Sequence, residues 1–187
     1  MKLTHKLLLA LFAVLFLTMT SCKDDDPIVD PPEEVITDLV YTLSPLSGDP
    51  VTLSFSDPDG DGGNAPTISG GTLSANTTYT GSIVLTNASE TPAEDITAEI
   101  QEEDEEHQFF FSASSGLNAT VAYGDQDADG NPVGLSSTVT TGDASSGTMT
   151  VTLRHEPNKN GTDVASGDIT NAGGETDIEV TFDITIQ

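Results

Sequence analysis

Residues 176–187, TDIEVTFDITIQ, alternate without a break: Ile178, Val180, Phe182, Ile184 and Ile186 take every second place, and Glu179, Thr181, Asp183 and Thr185 fill the others. Successive side chains of a β-strand leave on opposite faces, so this segment has one apolar face and one wetted face. A chain carrying such a strand needs a second layer to cover the apolar face, which excludes most helical architectures at the outset.

The same period recurs along the chain. VITDLVYTL (35–43) and VTLSFS (51–56) flank the Pro/Gly turn SPLSGDP and predict a hairpin with a longer loop. In TTYTGSIVLTN (77–87), Tyr79, Gly81, Ile83 and Leu85 share a face. Further strands are predicted at 107–114, 117–123, 133–141 and 147–156, and a weak one at 66–73, where Gly70 and Gly71 suggest a bulge. Tryptophan is absent, while Val, Ile and Thr alternate with small polar residues, as a half-buried pleated surface requires. Roughly eight or nine short strands at this spacing predict an all-β fold, an immunoglobulin-like antiparallel β-sandwich, with an open barrel as the alternative. One segment departs from the pattern. In TPAEDITAEIQEEDEE (91–106), Thr91 reads as N-cap, Pro92 as the first helical residue and Glu94 as the partner in a capping box, with Ile96 and Ile100 on one face; a helix over about 92–104 follows. Its C-terminal end carries Glu102, Glu103, Asp104, Glu105 and Glu106, carboxylates that oppose the helix dipole and each other and call for a cation or a basic partner.

Ahead of the strands lies a different kind of sequence. Lys2 and Lys6 precede an apolar run, Leu7 to Leu17, too short for a permanent membrane span and followed by the small residues Thr18, Thr20 and Ser21. Cys22 comes next, the chain's one cysteine, so it has no disulfide partner within the chain. The arrangement resembles the lipobox of bacterial lipoproteins, with Met19 where leucine is usual, and Lys23-Asp24-Asp25-Asp26 resembles the surface-export signal of lipoproteins in the Bacteroidota. The resemblance implies a signal peptide over 1–21, lipidation of Cys22, and attachment to the outer membrane at the cell surface. Acyl chains hold through about 0.8 kcal/mol per buried CH₂. Residues 22–34, rich in Pro and Asp, read as a tether, and 35–187 as the β-sandwich domain.

Beyond Cys22, three basic residues (Lys23, Arg154, Lys159) stand against 31 acidic ones, a net charge of −28 with histidines neutral. Phosphate backbones are repelled by such a chain, so nucleic acid is not an expected partner. Cations are attracted, and high charge also keeps an exposed domain soluble.

Two loops share the pattern D-x-D-x-D-G: Asp57, Asp59 and Asp61 before Gly62, and Asp125, Asp127 and Asp129 before Gly130. That spacing can gather carboxylates on Ca²⁺, although the twelfth positions are Ile68 and Ser136, not the Glu of an EF-hand. Surface β-loops also use Asp and Gly simply to turn. His107 opens one predicted strand in phase with Phe109 and Phe111, and His155 closes another in phase with Met149, Val151 and Leu153. If the two strands run antiparallel, both imidazoles lie on the core side at one end of the sandwich. With Glu106 and Glu156 beside them, and Glu105 as a substitute, they form a candidate site for Zn²⁺ or another divalent transition metal. Separate rim histidines, each hydrogen-bonded locally, are the plainer alternative. No G-x-S-x-G elbow, P-loop, H-E-x-x-H or dinucleotide fingerprint occurs, so a non-catalytic role is expected.

Four stretches, SFSDPDGDGGNAPTISGGTL, EEHQFFF, VTLRHEPNK and GDITNAGGETDIEVTF, together resemble a group of short flavobacterial lipoproteins often labelled "type 1 periplasmic binding fold superfamily protein". The resemblance implies a lipoprotein and assigns no residue a role. The label implies two lobes of alternating strands and helices in a longer chain, whereas the period here predicts a sandwich. Taken together, the expectation is a surface-exposed or outer-membrane lipoprotein acting as a binding module, capturing divalent metal beside an outer-membrane uptake receptor. The competing expectation is a structural or adhesive surface protein with calcium-braced loops.

Overall fold

The computed structural model describes residues 34–60 and 63–187. The predicted signal peptide, Cys22 and nearly all of the predicted tether lie outside the described residues, as do Asp61 and Gly62. The described chain is an all-β sandwich of two sheets with a single short α-helix.

The strands are β1 (Asp38–Pro45), β2 (Val51–Ser56), β3 (Thr67–Ser69), β4 (Gly71–Leu73), β5 (Thr78–Thr86), β6 (His107–Ala113), β7 (Ala119–Tyr123), β8 (Ser136–Thr141), β9 (Ser145–His155) and β10 (Glu175–Ile186). One sheet has the order β3-β2-β1-β5-β8-β7 and the other β4-β10-β9-β6. All pairings are antiparallel except β4 with β10. In β10 the inward residues Ile178, Val180, Phe182, Ile184 and Ile186 are buried while their neighbours are exposed, as the alternation requires. They meet Leu39, Tyr41, Leu43, Leu53, Ile83, Leu85 and Val139 from the opposite sheet in one continuous core. Each fully buried Leu, Ile or Phe contributes roughly 1.5–3 kcal/mol, enough to hold the layers together and fix strand register.

Two local expectations need correction. The segment 66–73 is not one bulged strand. β3 pairs with β2, the chain breaks at Gly70, and β4 joins the other sheet beside Ile184 and Ile186. A Cβ at Gly70 would overlap the Asp183 carbonyl oxygen, so the switch between sheets needs a residue with no side chain. The helix, α1 (Ile96–Glu102), is shorter than 92–104 and begins later. Its N-cap is Asp95, whose Oδ1 accepts from the Ala98 N–H at 3.3 Å. Glu94, read as a capping-box partner, instead bridges backbone to backbone with Asn87, and the Thr91–Pro92 bond ahead of it is cis. Ile96 and Ile100 are buried as their spacing demanded. The Thr97 hydroxyl accepts from Leu85 N–H at 2.8 Å and donates to Leu85 C=O at 3.1 Å, tying α1 to the end of β5.

At the acidic helix end the Lys159 ammonium donates to the Asp104 backbone carbonyl, while its ion pair is with Asp127. The beginnings of β6 and β10 and the end of β9 meet at this same end of the sandwich, where Glu34, just ahead of β1, reaches His107. Among the described residues, no helix is long and apolar enough to cross a membrane.

Candidate metal centre

β6 and β9 pair antiparallel with His107 directly opposite His155. The strand-parity expectation is met: both rings sit at one end of the sandwich, stacked with centroids 4.7 Å apart and planes 23° from parallel. The His107 side chain is fully buried and that of His155 is 8% exposed.

His107 is oriented by the helix end. Its Nδ1 lies 3.1 Å from the Glu103 carbonyl, which can only accept, so Nδ1 carries the proton and donates. In the neutral ring the Nε2 lone pair is then left facing inward, and Nε2 has no hydrogen-bond partner. It lies 3.2 Å from Glu34 Oε1 and 3.9 Å from Asp177 Oδ2. His155 turns its Nδ1 to the same point, 3.8 Å from Glu34 Oε2 and 3.9 Å from Asp177 Oδ1. Glu34, His107, His155 and Asp177 each present one ligand atom, all within 4.8 Å of one another.

Sequence reasoning placed the two histidines and missed the two carboxylates. Glu34 fell at the edge of a stretch read as tether, yet its side chain is only 8% exposed and packs against the rings. Asp177 stood at a position whose parity is outward. The register of β10 against β9 shifts between Thr176 and Ile178, and this bulge coincides with an Asp177 side chain that is wholly buried. The available signal was positional: Glu34 lies shortly ahead of β1 and Asp177 near the start of β10, beside the end of the strand that His155 closes.

Glu106 and Glu156, predicted as ligands beside the histidines, belong to an adjoining group on the solvent side. Glu106 is half exposed, its Oε2 4.0 Å from His155 Nε2, and Glu156 completes a cluster of three with them. The half-buried Glu99 of α1 reports the negative field at this end: its carboxyl is held above the usual range by burial first, then by Glu94, Glu34 and Glu103.

The aspartate loops are arranged otherwise. Asp125 accepts from the N–H groups of Gly134 and Ser136 at 2.7 and 2.8 Å. Asp127 Oδ1 accepts from Asp129 and Asn131 N–H, and its Oδ2 takes the Lys159 ammonium at 2.9 Å. Asp129 is exposed. Hydrogen bonds and a lysine close this loop, and its three carboxylates do not converge as the calcium expectation required. In the first loop, Asp59 accepts from Asn64 N–H and its side-chain amide at 3.0 and 2.7 Å, bonds that hold its carboxyl below the usual range. Asp57 leads the chain out of β2, its N–H bonded to Thr37 C=O, and Asp61 lies outside the described residues.

Chemically, the inner group suits a divalent cation. Two carboxylates and two imidazole nitrogens facing one buried point form a donor set that a dication can bind while offsetting the charge of the carboxylates. At a tetrahedral zinc with bonds of about 2.0–2.2 Å, neighbouring ligand atoms stand about 3.4 Å apart. The four cross-distances of 3.2–3.9 Å run to both oxygens of each carboxylate, and one ligand atom from each residue falls within 4.8 Å of the others, so binding would draw the side chains inward to that spacing. Imidazole with carboxylate selects borderline metals such as zinc over the all-oxygen preference of calcium. No protein family, no curated protein and no solved structure matches this chain.

Proposed function

We propose that this protein is a lipid-anchored surface module that binds a divalent transition metal through Glu34, His107, His155 and Asp177, without catalysis. Its place is the outer membrane, where it offers captured metal to an uptake receptor. The observation that carries the metal reading is the convergence of two imidazole nitrogens and two carboxylates on one buried point. The anchor rests on the lipobox-like setting of Cys22 and the aspartates that follow it. The strongly negative charge favours encounter with cations at a cell surface.

Titration of the purified protein with zinc by calorimetry tests this reading. Wild type is expected to bind zinc, and His155→Ala and Glu34→Gln to lose most of the heat. With zinc at 100 times its Kd, the melting transition gains about 2.7 kcal/mol by mass action. Equal heats from wild type and both variants overturn the reading. A calcium-dependent rise in melting temperature without zinc binding establishes the structural, adhesive alternative in its place.

A further inference from the structure

His155 has two ring nitrogens, and each faces a different group of potential ligands. Nδ1 faces Glu34 and Asp177 in the buried centre at 3.8 and 3.9 Å. Nε2 faces outward, 4.0 Å from Glu106 Oε2, and with Glu156 makes a second group whose ligand atoms lie within 4.8 Å of one another. The glutamates of this outer group are exposed, and exposed glutamates alone signify nothing. The nitrogen between them is different. His155 is more than nine-tenths buried, and its Nε2 has no hydrogen-bond partner. A buried ring nitrogen without a partner is costly, and here it faces Glu106 Oε2 at 4.0 Å, with Glu156 in the same cluster.

From this placement we propose that the protein holds two divalent cations, bridged by the His155 ring. This rests on the buried centre already assigned. The inner cation takes His155 Nδ1 with Glu34, His107 and Asp177, and the outer takes Nε2 with Glu106 and Glu156. Three protein ligands leave the outer cation positions for water or for a ligand atom of a partner, as open metal sites do. The backbone fixes the two glutamates relative to the ring. Glu106 directly precedes His107 in the chain, Glu156 directly follows His155, and Glu156 N–H donates to Glu106 C=O at 2.7 Å. When both nitrogens are coordinated, the ring's remaining N–H proton passes to solvent and the ring bridges as imidazolate. The two ions then share one ligand and differ in access: the inner is enclosed by protein, the outer faces solvent.

Zinc stoichiometry by equilibrium dialysis of the purified protein, with copper(II) as a second probe, decides the matter. Wild type is expected to hold two equivalents of zinc, and the double variant Glu106→Gln/Glu156→Gln one. Glu34→Gln/His107→Ala should retain only the weaker, outer equivalent. Two copper(II) ions joined through one imidazolate couple magnetically, so the doubly loaded protein should lose electron-spin-resonance intensity that the Glu106→Gln/Glu156→Gln variant keeps. One equivalent in wild type, unchanged in Glu106→Gln/Glu156→Gln, overturns the bridged pair and leaves the buried centre standing. No zinc in wild type overturns both. Two equivalents with uncoupled copper overturns the shared ring.

Discussion

His107 and His155 face each other across β6 and β9, and the Glu103 carbonyl at the end of α1 holds the first of them by its Nδ1–H. The contact joins α1 to the candidate metal centre and chooses which nitrogen faces the carboxylates. Long-range proton–nitrogen NMR of the metal-free protein should therefore find neutral His107 as the Nδ1–H tautomer, and zinc should shift its Nε2 resonance. An Nε2–H tautomer would contradict the orientation. Outer hydrogen-bond partners of ligating histidines are worth about 10–100-fold in metal affinity. Shortening α1 by a proline at Gln101, which removes a helical N–H close to Glu103, should weaken zinc binding by that order while leaving the core strands protected from hydrogen exchange.

Lys159 and Asp127 form a buried ion pair at 2.9 Å, and the same ammonium reaches the Asp104 carbonyl. Lys159→Ala leaves Asp127 buried without its counter-charge, at an expected cost of about 3–5 kcal/mol, whereas Lys159→Met with Asp127→Leu should recover most of it. Burial pushes the Asp127 carboxyl up, but the Lys159 hydrogen bond and the Asn131 and Asp129 N–H groups outweigh it, and the net shift is downward from 3.8. A depressed folded value means the stabilisation is complete above the unfolded pKa, near 3.9, and is lost as pH falls through the folded value. Other carboxylates repel one another less as they protonate, so the effect is read as a difference. Between pH 5 and 2, wild type should lose stability relative to Asp127→Asn in urea unfolding curves, and parallel curves would count against the pairing.

Much of this architecture follows from period-two alternation, because one buried face is a demanding constraint and strand parity carries it residue by residue. Parity placed Phe182 in the core and His107 and His155 at one end. It failed where the strand is irregular: the β10 register shifts beside Asp177, and parity reasoning cannot see a shift of one residue. Glu34 was hidden for another reason. Pro and Asp in the stretch before it signal a solvated chain, and only a tertiary contact makes Glu34 part of the domain. The helix start was displaced because Thr91, Pro92 and Glu94 satisfy a local capping rule, while the pairing of Glu94 with Asn87 is a contact with the end of β5 that local sequence does not reveal. The two aspartate loops look alike in sequence, but whether a carboxylate meets a cation, an amide or a lysine depends on residues far along the chain, as Lys159 does for Asp127.

Gly70 marks where the chain passes from one sheet to the other, with no room for a Cβ against the Asp183 carbonyl. Gly70→Ala should force β4 away from β10 and cost at least the roughly 1–3 kcal/mol of ordinary overpacking. Gly60→Ala, in a turn with open space around it, should cost only the strain of its positive φ of 67°, about 1 kcal/mol. Thermal unfolding of the two variants checks the order, and hydrogen exchange at Leu73 and Ile186 should rise in Gly70→Ala alone. Equal stability of both variants would mean that the crossing at Gly70 is looser than its geometry.

Tyr41 buries its ring between the sheets and shares a 2.7 Å hydrogen bond with the Ser137 hydroxyl. Burial raises its phenol from 10.0 to about 12, with the Ser137 bond acting in the opposite direction. A raised folded value favours the neutral form in the native state, so the stabilisation is complete below pH 10 and is lost as pH rises toward 12. At 1.36 kcal/mol per pKa unit, that loss is on the order of 2–3 kcal/mol. Tyr41→Phe should cost about 1–2 kcal/mol at pH 7, because the Ser137 hydroxyl loses its buried partner. It should also remove most of this alkaline decline, so the variant and wild type converge as pH rises. Tyr123 is raised as well, chiefly by burial, so part of the decline should remain in Tyr41→Phe. Urea unfolding at pH 7 and at steps above pH 9 measures both effects, and a constant gap between the two proteins across that range would show that Tyr41 ionises as readily in the fold as outside it.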